Sequence, residues 1–307
     1  MIVEASGLRK AYGSTAVLDG IDLEVAEGSV FALLGPNGAG KTTTIRILST
    51  LTKPDAGNLR VAGFDVVREA AKVRGVISLT GQYAAVDGEQ TGRENLVMVG
   101  RLMHLGRAKA RDRAGELLER FDLVDAADRR VKTYSGGMRR RLDLAMSLVA
   151  APEVIFLDEP TTGLDPASRN TMWDAIRDLV RTGTTIFLTT QYLEEADRLA
   201  DRIMVLDKGK VVAHGTADAL KAKVGGDRLD LRFTSAAALG VAATRLGGFT
   251  DRERLVLSVP SDGTATHLHS VLDDLRTANA VPAQVSSHRP TLDDVFLALT
   301  SREGVPA

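Results

Sequence analysis

VFALLGPNGAGKTTTIRIL, residues 30–48, decides the fold. VFALL is a continuous apolar run, the pattern of a strand buried on both faces, and TTTIRIL has helical spacing. Between them GPNGAGKT, Gly35–Thr42, satisfies G-x-x-x-x-G-K-[ST] in the strand–loop–helix context that this phosphate loop requires. Its glycines let the backbone curl so that successive N–H groups face phosphate oxygens. The helix N-terminus adds a partial positive charge. Lys41 is expected to reach the β- and γ-phosphates and the Thr42 hydroxyl to bind Mg²⁺. The competing reading is a glycine-rich turn with Thr42 and Thr43 in the first helical turn.

Outward from this stretch the same grammar repeats. VISLT (76–80), VIFLD (154–158), TIFLT (185–189) and IMVLD (203–207) are further continuous apolar runs. Helical patterns separate them, which predicts an α/β domain with a mainly parallel sheet. Before the phosphate loop, Ile21, Leu23 and Val25 alternate with Asp22, Glu24 and Ala26, so residues 1–27 are expected to be antiparallel strands. Residues 91–150 read as a helical insertion. Thr91 and Glu94 form a capping box, a second helix spans roughly 107–121, and a third begins near Gly137 with Leu142, Ala145, Met146 and Val149 on one face.

KAKVGGDR (221–228) marks a boundary, giving domains 1–222 and 223–307. In the second, Leu229, Leu231 and Phe233 alternate, as do Leu255, Leu257 and Val259, and then Val281, Ala283 and Val285. Leu268, Val271, Leu272 and Leu275 fall at helical spacing, as do Leu292, Val295, Phe296 and Leu299. This predicts a small α+β module without a catalytic cluster. His267 and His269 are two apart, point different ways on a helix and are read as surface residues.

Two further stretches carry chemistry. VIFLDEP (154–160) sets Asp158 and Glu159 at the end of a buried strand, where an unpartnered charge is costly. Mg²⁺ is the natural partner of Asp158, and Glu159 is suited to polarise an attacking water. Alternatively Asp158 caps a helix beside Pro160. FLTTQYLEEAD (187–197) ends another strand on the neutral amide of Gln191, which either donates to a phosphate or caps the helix that follows. Asp165 before Pro166 suits a helix N-cap.

Composition bounds the partners. The chain has 307 residues, 44% hydrophobic and 26% charged, with net charge −1, so no global field draws it to nucleic acid. It has no cysteine, which excludes disulfide partners, thiolate metal sites and cysteine nucleophiles. No signal peptide and no apolar run of about 18–20 residues are visible. A cytoplasmic protein is expected, with any membrane part supplied by another chain.

YSGGMRRRLDLAMSLVAAP (134–152) stands just before VIFLDEPTTGLDP. With GPNGAGKT, this order is similar to an ABC-type ATPase domain across residues 2–220, YSGGM resembling the LSGGQ signature. Within that family GQYAAVD, TGRENL, VKTYSGGMRRRLDLA, TTQYLEEAD and HRPTLDDVFLALT resemble the daunorubicin-resistance type of drug-exporter ATPase. The resemblance implies that Tyr12 stacks on adenine, although an exposed aromatic in a turn reads equally well as packing. It implies that Gly35, Asn37, Gly38, Ala39, Gly40, Lys41, Thr42 and Thr43 hold the phosphates of ATP. Gln82 would touch Mg²⁺ and the attacking water, joining Thr42 and Asp158 at the metal, with Glu159 as the base. Ser135, Gly136 and Gly137 would contact ATP held by a second copy of the chain, their own reading being an anion-binding helix start or a plain N-cap. Asp165 would communicate across the dimer. The implied assembly is a homodimer around two ATP, on the inner face of the membrane, bound to a separate polytopic permease that docks near residues 83–105.

Tyr134 and Met138 depart from the usual signature, and Gln191 stands where most of the family has a histidine. Arg139, Arg140 and Arg141 read as a solvated or phosphate-proximal basic run. A soluble ABC ATPase acting in translation or on DNA is the alternative, opposed by the single phosphate loop and the short insertion.

Overall fold

The computed structural model describes residues 1–82, 84–224 and 226–300, the side chains of Leu299 and Thr300 excepted. Three sequence expectations touch residues outside this set: Tyr83 in the docking stretch, Gly225 in the boundary stretch, and 301–307 in the second domain. The chain divides into two compact units, Met1–Ala217 and Asp218–Ala307. The sequence reading cut the chain after residue 222. The glycine-rich stretch it used ends a short helix (Ala217–Lys221), whereas the division of packing falls at that helix's start.

The first unit opens with β1 (Val3–Tyr12), β2 (Thr15–Val25), β3 (Val30–Leu34), α1 (Lys41–Leu48), β4 (Ala56–Val61) and β5 (Phe64–Asp65). It continues through α2 (Ala70–Val76), β6 (Ile77–Thr80), α3 (Gly92–Leu102), α4 (Arg107–Arg120), α5 (Gly136–Ser147), β7 (Val154–Asp158) and α6 (Pro166–Arg181). β8 (Thr185–Thr190), α7 (Leu193–Leu199), β9 (Arg202–Asp207) and β10 (Lys210–Gly215) complete it. One sheet is antiparallel, in the order β2-β1-β4-β5. The other runs β10-β9-β3-β8-β7-β6, parallel except for the edge strand β10.

The burial of each strand follows its place in the sheet. The central strands β3, β7 and β8 are buried at every residue, as continuous apolar runs demand. β6 has a partner on one side only and is half-buried until Thr80. Its expected first residue, Val76, belongs instead to α2, a short helix without a capping signal. Phe31, Phe187 and Phe156 lie in register on adjacent strands. Their ring centroids are 5.0 and 5.5 Å apart, each contact contributing about 0.5–1.5 kcal/mol beyond burial. This ridge fixes the register. Leu34 therefore pairs with Thr190 and Asp158 with Thr189, so Gly35, Glu159 and Gln191 all leave the sheet at one edge.

The helical segment forms as expected, except that α5 ends at Ser147 and leaves Val149 beyond it. The Thr91–Glu94 capping box is present in both directions. Tyr134 is buried, and its hydroxyl donates to the Ala126 carbonyl at 2.6 Å, which holds the approach to α5. The departure from leucine here fills the core and adds a bond.

The second unit contains β11 (Arg228–Arg232), α9 (Ala236–Leu246), β12 (Phe249–Asp251), β13 (Val256–Pro260), α10 (Ala265–Thr277), β14 (Gln284–His288) and α11 (Leu292–Thr300); the Ala217–Lys221 helix is α8. Its antiparallel sheet runs β12-β13-β11-β14. Leu229, Leu231, Leu257 and Val259 pack with Leu239, Ala242, Val271 and Leu275. Two expectations differ. The last strand starts at Gln284, with Val281 exposed and Ala283 outside it, because pairing with β11 and not the Val-Ala-Val alternation sets its register. The alanine-rich α9 has a weak apolar stripe and was not anticipated. His269 is exposed, as read, whereas His267 is half-buried, its Nε2 3.3 Å from the Pro260 carbonyl oxygen.

Candidate active site

The phosphate loop is shaped by close approaches. Gly40 has φ 108°, and a Cβ there would stand 2.5 Å from Leu18 and 2.9 Å from the Val17 carbonyl. At Gly35 a Cβ would meet the Leu206 carbonyl oxygen at 2.2 Å. α1 starts on Gly40 with no side-chain cap, so the amides of Lys41, Thr42 and Thr43 have no partner from the helix itself. Asn37, Gly38 and Ala39 complete the curl, with the Ala39 amide donating to the Pro36 carbonyl at 3.2 Å.

Lys41 is buried. Its Nζ donates to the carbonyls of Gly35 (2.7 Å) and Pro36 (3.2 Å) and lies 3.4 Å from Glu159 Oε1. Thr42 Oγ1 donates to Asp158 at 3.0 Å, and Thr189 Oγ1 holds the same carboxylate at 2.6 Å. Thr189 also accepts from the Glu159 amide, through its carbonyl at 3.1 Å and its hydroxyl at 3.2 Å. Glu159 itself adopts φ 50°, a left-handed conformation that a residue with a Cβ rarely takes. Thr162 Oγ1 donates to Glu159 Oε2 at 3.2 Å. An ammonium, a hydroxyl and two carboxylates thus converge beside helix amides that have no partner within the helix. Hard oxygen donors of this kind suit Mg²⁺, and no group of three or more His, Cys, Asp or Glu able to hold a metal occurs among the described residues. The helix-cap alternative for Asp158 is not observed, since both its oxygens serve hydroxyls.

Gln191 is half-buried and follows Thr190, whose carbonyl accepts from the Gly35 amide at 3.3 Å. Its capping alternative fails: the N-cap of α7 is Tyr192, without a side-chain cap bond. Tyr12 is 51% exposed, so its ring is not core packing. Gln82 is exposed, and its carbonyl accepts from Arg140 at 3.5 Å.

The signature stretch opens α5. Ser135 caps α5, accepting from the Met138 amide at 3.2 Å. Ser135 and Gly136 are exposed, whereas Gly137 is buried, and a Cβ on it would collide with Ser168 Oγ at 2.4 Å. Ser168 in turn donates to Asp165 by amide (2.9 Å) and hydroxyl (2.7 Å). Those bonds hold the Asp165 carboxyl below its ordinary range. Asp165 is therefore the N-cap of α6, with Pro166 at the first helical position.

The basic run is corrected. Arg139 is exposed, but Arg140 is 6% exposed and Arg141 reaches the Phe121 carbonyl at 3.0 Å. Arg140 faces inward and pairs with buried Asp143, three residues on, at 3.3 Å. Burial draws the Arg140 guanidinium down and pushes the Asp143 carboxyl up, each opposed by the other's charge and Asp143 also by the Ala85 amide. A second buried carboxylate was also missed. Glu195 Oε1 accepts from Thr161 Oγ1 (2.8 Å) and Trp173 Nε1 (3.0 Å), tying α7 to the turn after Glu159 and to α6. Burial pushes its carboxyl up, against the hydroxyls of Thr190 and Thr161, the indole and the charge of Arg169. Its doubled acid in YLEEAD reads as a solvated face.

This geometry has relatives. The family pattern described as ABC transporter matches residues 18–162. The chain is 56% identical over 301 residues to the daunorubicin resistance ATP-binding protein DrrA3 of Streptomyces coeruleorubidus, covering 97% of this chain and 95% of the relative. It is 51% identical to the daunorubicin/doxorubicin resistance ATP-binding protein DrrA of Streptomyces peucetius, covering 97% and 92%. Among solved structures, cbiO1 from Clostridium perfringens, described as part of the ABC transporter complex cbiONQ, superposes with TM-score 0.68 at 26% identity, covering 72% of this chain and 91% of that one.

Proposed function

The chain belongs to the ABC transporter ATP-binding family, and from that premise we propose that it is the ATPase subunit of a drug or antibiotic exporter, dimerising around two ATP to drive a separate membrane permease. The observation that carries this reading is the meeting of Lys41, Thr42, Asp158 and Glu159 at one sheet edge, beside Gln191.

Phosphoryl transfer to water demands positioning and charge neutralisation more than covalent chemistry. Tyr12 offers an open ring for adenine. The α1 amides and the Lys41 ammonium hold the β- and γ-phosphates. Thr42, Asp158 and Gln82 would hold Mg²⁺, which when bound neutralises phosphate charge. Glu159, aimed by its strained backbone and by Thr162, orients water and takes its proton. Gln191 donates an amide hydrogen to the γ-phosphate without titrating near neutral pH, as histidine would. Ser135, Gly136 and Gly137 of one copy face the ATP of the other, and Asp165 sets the turn between the two sites.

No described helix is long and apolar enough to cross a membrane. One feature supports a membrane partner. A groove of about 1050 Å³ on α3 and α4, lined by Gln90, Arg93, Val97, Met98, Arg101 and Leu102, sits within the stretch expected to dock the permease, and Leu102 and Met103 are 68% and 53% exposed beside it. The daunorubicin and doxorubicin resistance named for the relatives supports the choice of a drug as cargo and export as direction.

Glu159→Gln tests the reading. The full chain should still bind MgATP, lose about 10²–10³-fold in turnover, and run as a dimer in light scattering with MgATP. A monomer under those conditions would overturn the sandwich.

A further inference from the structure

Arg140 is a buried guanidinium with every nitrogen engaged. Nε donates to the Pro160 carbonyl at 2.7 Å; Nη1 donates to Gly81 at 2.7 Å, to Gln82 at 3.5 Å and to Asp143 at 3.3 Å. Nη2 donates to the carbonyls of Asp158 and Glu159, both at 3.4 Å. β6 and β7 are adjacent parallel strands, and this one side chain closes the carboxyl ends of both. Its neighbour Asp143, 5% exposed, accepts from the Ala85 amide at 3.0 Å. Through these two residues α5 holds Gly81, Gln82 and Ala85 on one side and the Asp158–Pro160 backbone on the other.

A fork of five donors can serve two strand ends at once, whereas an ammonium is a point charge. Most of the acceptors are neutral carbonyls, so the arrangement is poor value as an ion pair: burying the charge is costly and only one carboxylate bonds it directly, the charges of Glu195 and Asp158 acting without contact. It is well suited to fixing backbone. Glu159 needs that, because its φ of 50° must be imposed by its surroundings. Arg140 also lies four residues after Gly136, one turn along the same face of α5.

We propose that Arg140, seated by Asp143, is a positioning residue that couples the start of α5 to the catalytic edge, so that the seating of Ser135–Gly137 sets the backbone of Glu159 and Gln82. This rests on the proposed function, since it gives the contact of the signature stretch with a second copy's ATP a route to the chain's own base.

The test uses Arg140→Lys in the full chain, read in two ways. Steady-state turnover should fall at least tenfold while the KM and Kd for MgATP stay within threefold. In hydrogen exchange, MgATP should protect residues 135–138 together with 159–162 and the amides of Gly81, Gln82 and Ala85 in the parent; in the variant protection at 135–138 should no longer extend to the other two. A residue that serves stability alone would lower the melting temperature and leave both readouts as in the parent, which would overturn the inference. If the lysine variant does not fold, Asp143→Asn keeps the fork and should show the same uncoupling; parental exchange in that variant would overturn it equally. Lys41→Ala separates this from the larger reading. If it binds MgATP as tightly as the parent, the phosphate-loop assignment fails. If it loses nucleotide while Arg140→Lys is silent, only the coupling fails.

Discussion

The two units of this chain both lay helices against a sheet, yet they place charge in opposite ways. In Met1–Ala217 the buried set includes Lys41, Arg140, Asp143, Asp158, Glu159 and Glu195, gathered around the carboxyl ends of one parallel sheet. Among the described residues of Asp218–Ala307 no polar or charged side chain is buried. There Arg228, Asp230 and Arg232 face an open cavity of about 920 Å³. Buried charge destabilises unless it is paired and hydrogen-bonded, so a unit that collects it spends stability on chemistry. The second unit has a plain apolar core and answers to packing alone.

That contrast predicts where mutations act, and the largest effect is expected in the plain core. Leu231 is fully buried in the central strand β11 among Leu257, Leu239 and Leu275. Leu231→Ala should destabilise the second unit by about 2–5 kcal/mol, seen as an earlier unfolding step in calorimetry. The MgATP affinity of the first unit should stay within about twofold of the parent. Equal loss of nucleotide binding would break the comparison, because it would show one cooperative unit where two are described.

A smaller effect is expected at the charged edge. Gln191→Ala removes one neutral donor while leaving Thr190, Tyr192 and the start of α7 intact. Turnover should fall roughly 10–100-fold with the MgATP Kd nearly unchanged, in line with about 1.5–3 kcal/mol for a hydrogen bond to a charged group. A parental rate would remove Gln191 from the site. A large loss of affinity would make it a binding group and not a sensor of the transferred phosphate.

The same contrast explains what the sequence could and could not reveal. Local patterns carry local structure: apolar runs of five and four residues mark β3 and β7, T-x-x-E marks the start of α3, and the phosphate loop is written out in order. The roles of Thr189, Arg140 and Glu195 are made by register and by helices folding back across the sheet. Nothing within four residues of Arg140 distinguishes it from Arg139, since Asp143 lies one turn from both. In the second unit Val281 and Ala283 alternate as a strand should, but β14 takes its register from β11. An apolar alternation says that a strand is near, whereas pairing decides where it starts.

The smallest expected effect concerns the buried charge least connected to catalysis. Glu195 is held by Thr161 and Trp173, and its folded pKa lies above its ordinary value because burial disfavours the ion. The folded chain therefore keeps this proton at pH values where the unfolded chain has lost it. Stability from the protonated carboxyl is fully present below about pH 4.5, and is lost as pH rises through the folded pKa. The charges of Arg169 and Arg140 act on it too. Glu195→Gln preserves an acceptor for both donors and cannot ionise. The stability of the variant relative to the parent should thus increase with pH above about 4.5, by no more than about 1.4 kcal/mol per pH unit. Asp143 gives a slope of the same sign, but it is common to both proteins and cancels in the difference. Denaturant midpoints across pH 4–8 measure this directly. A flat difference would mean that Glu195 is ionised inside the fold, and that the first unit tolerates one more unpaid charge than its hydrogen bonds explain.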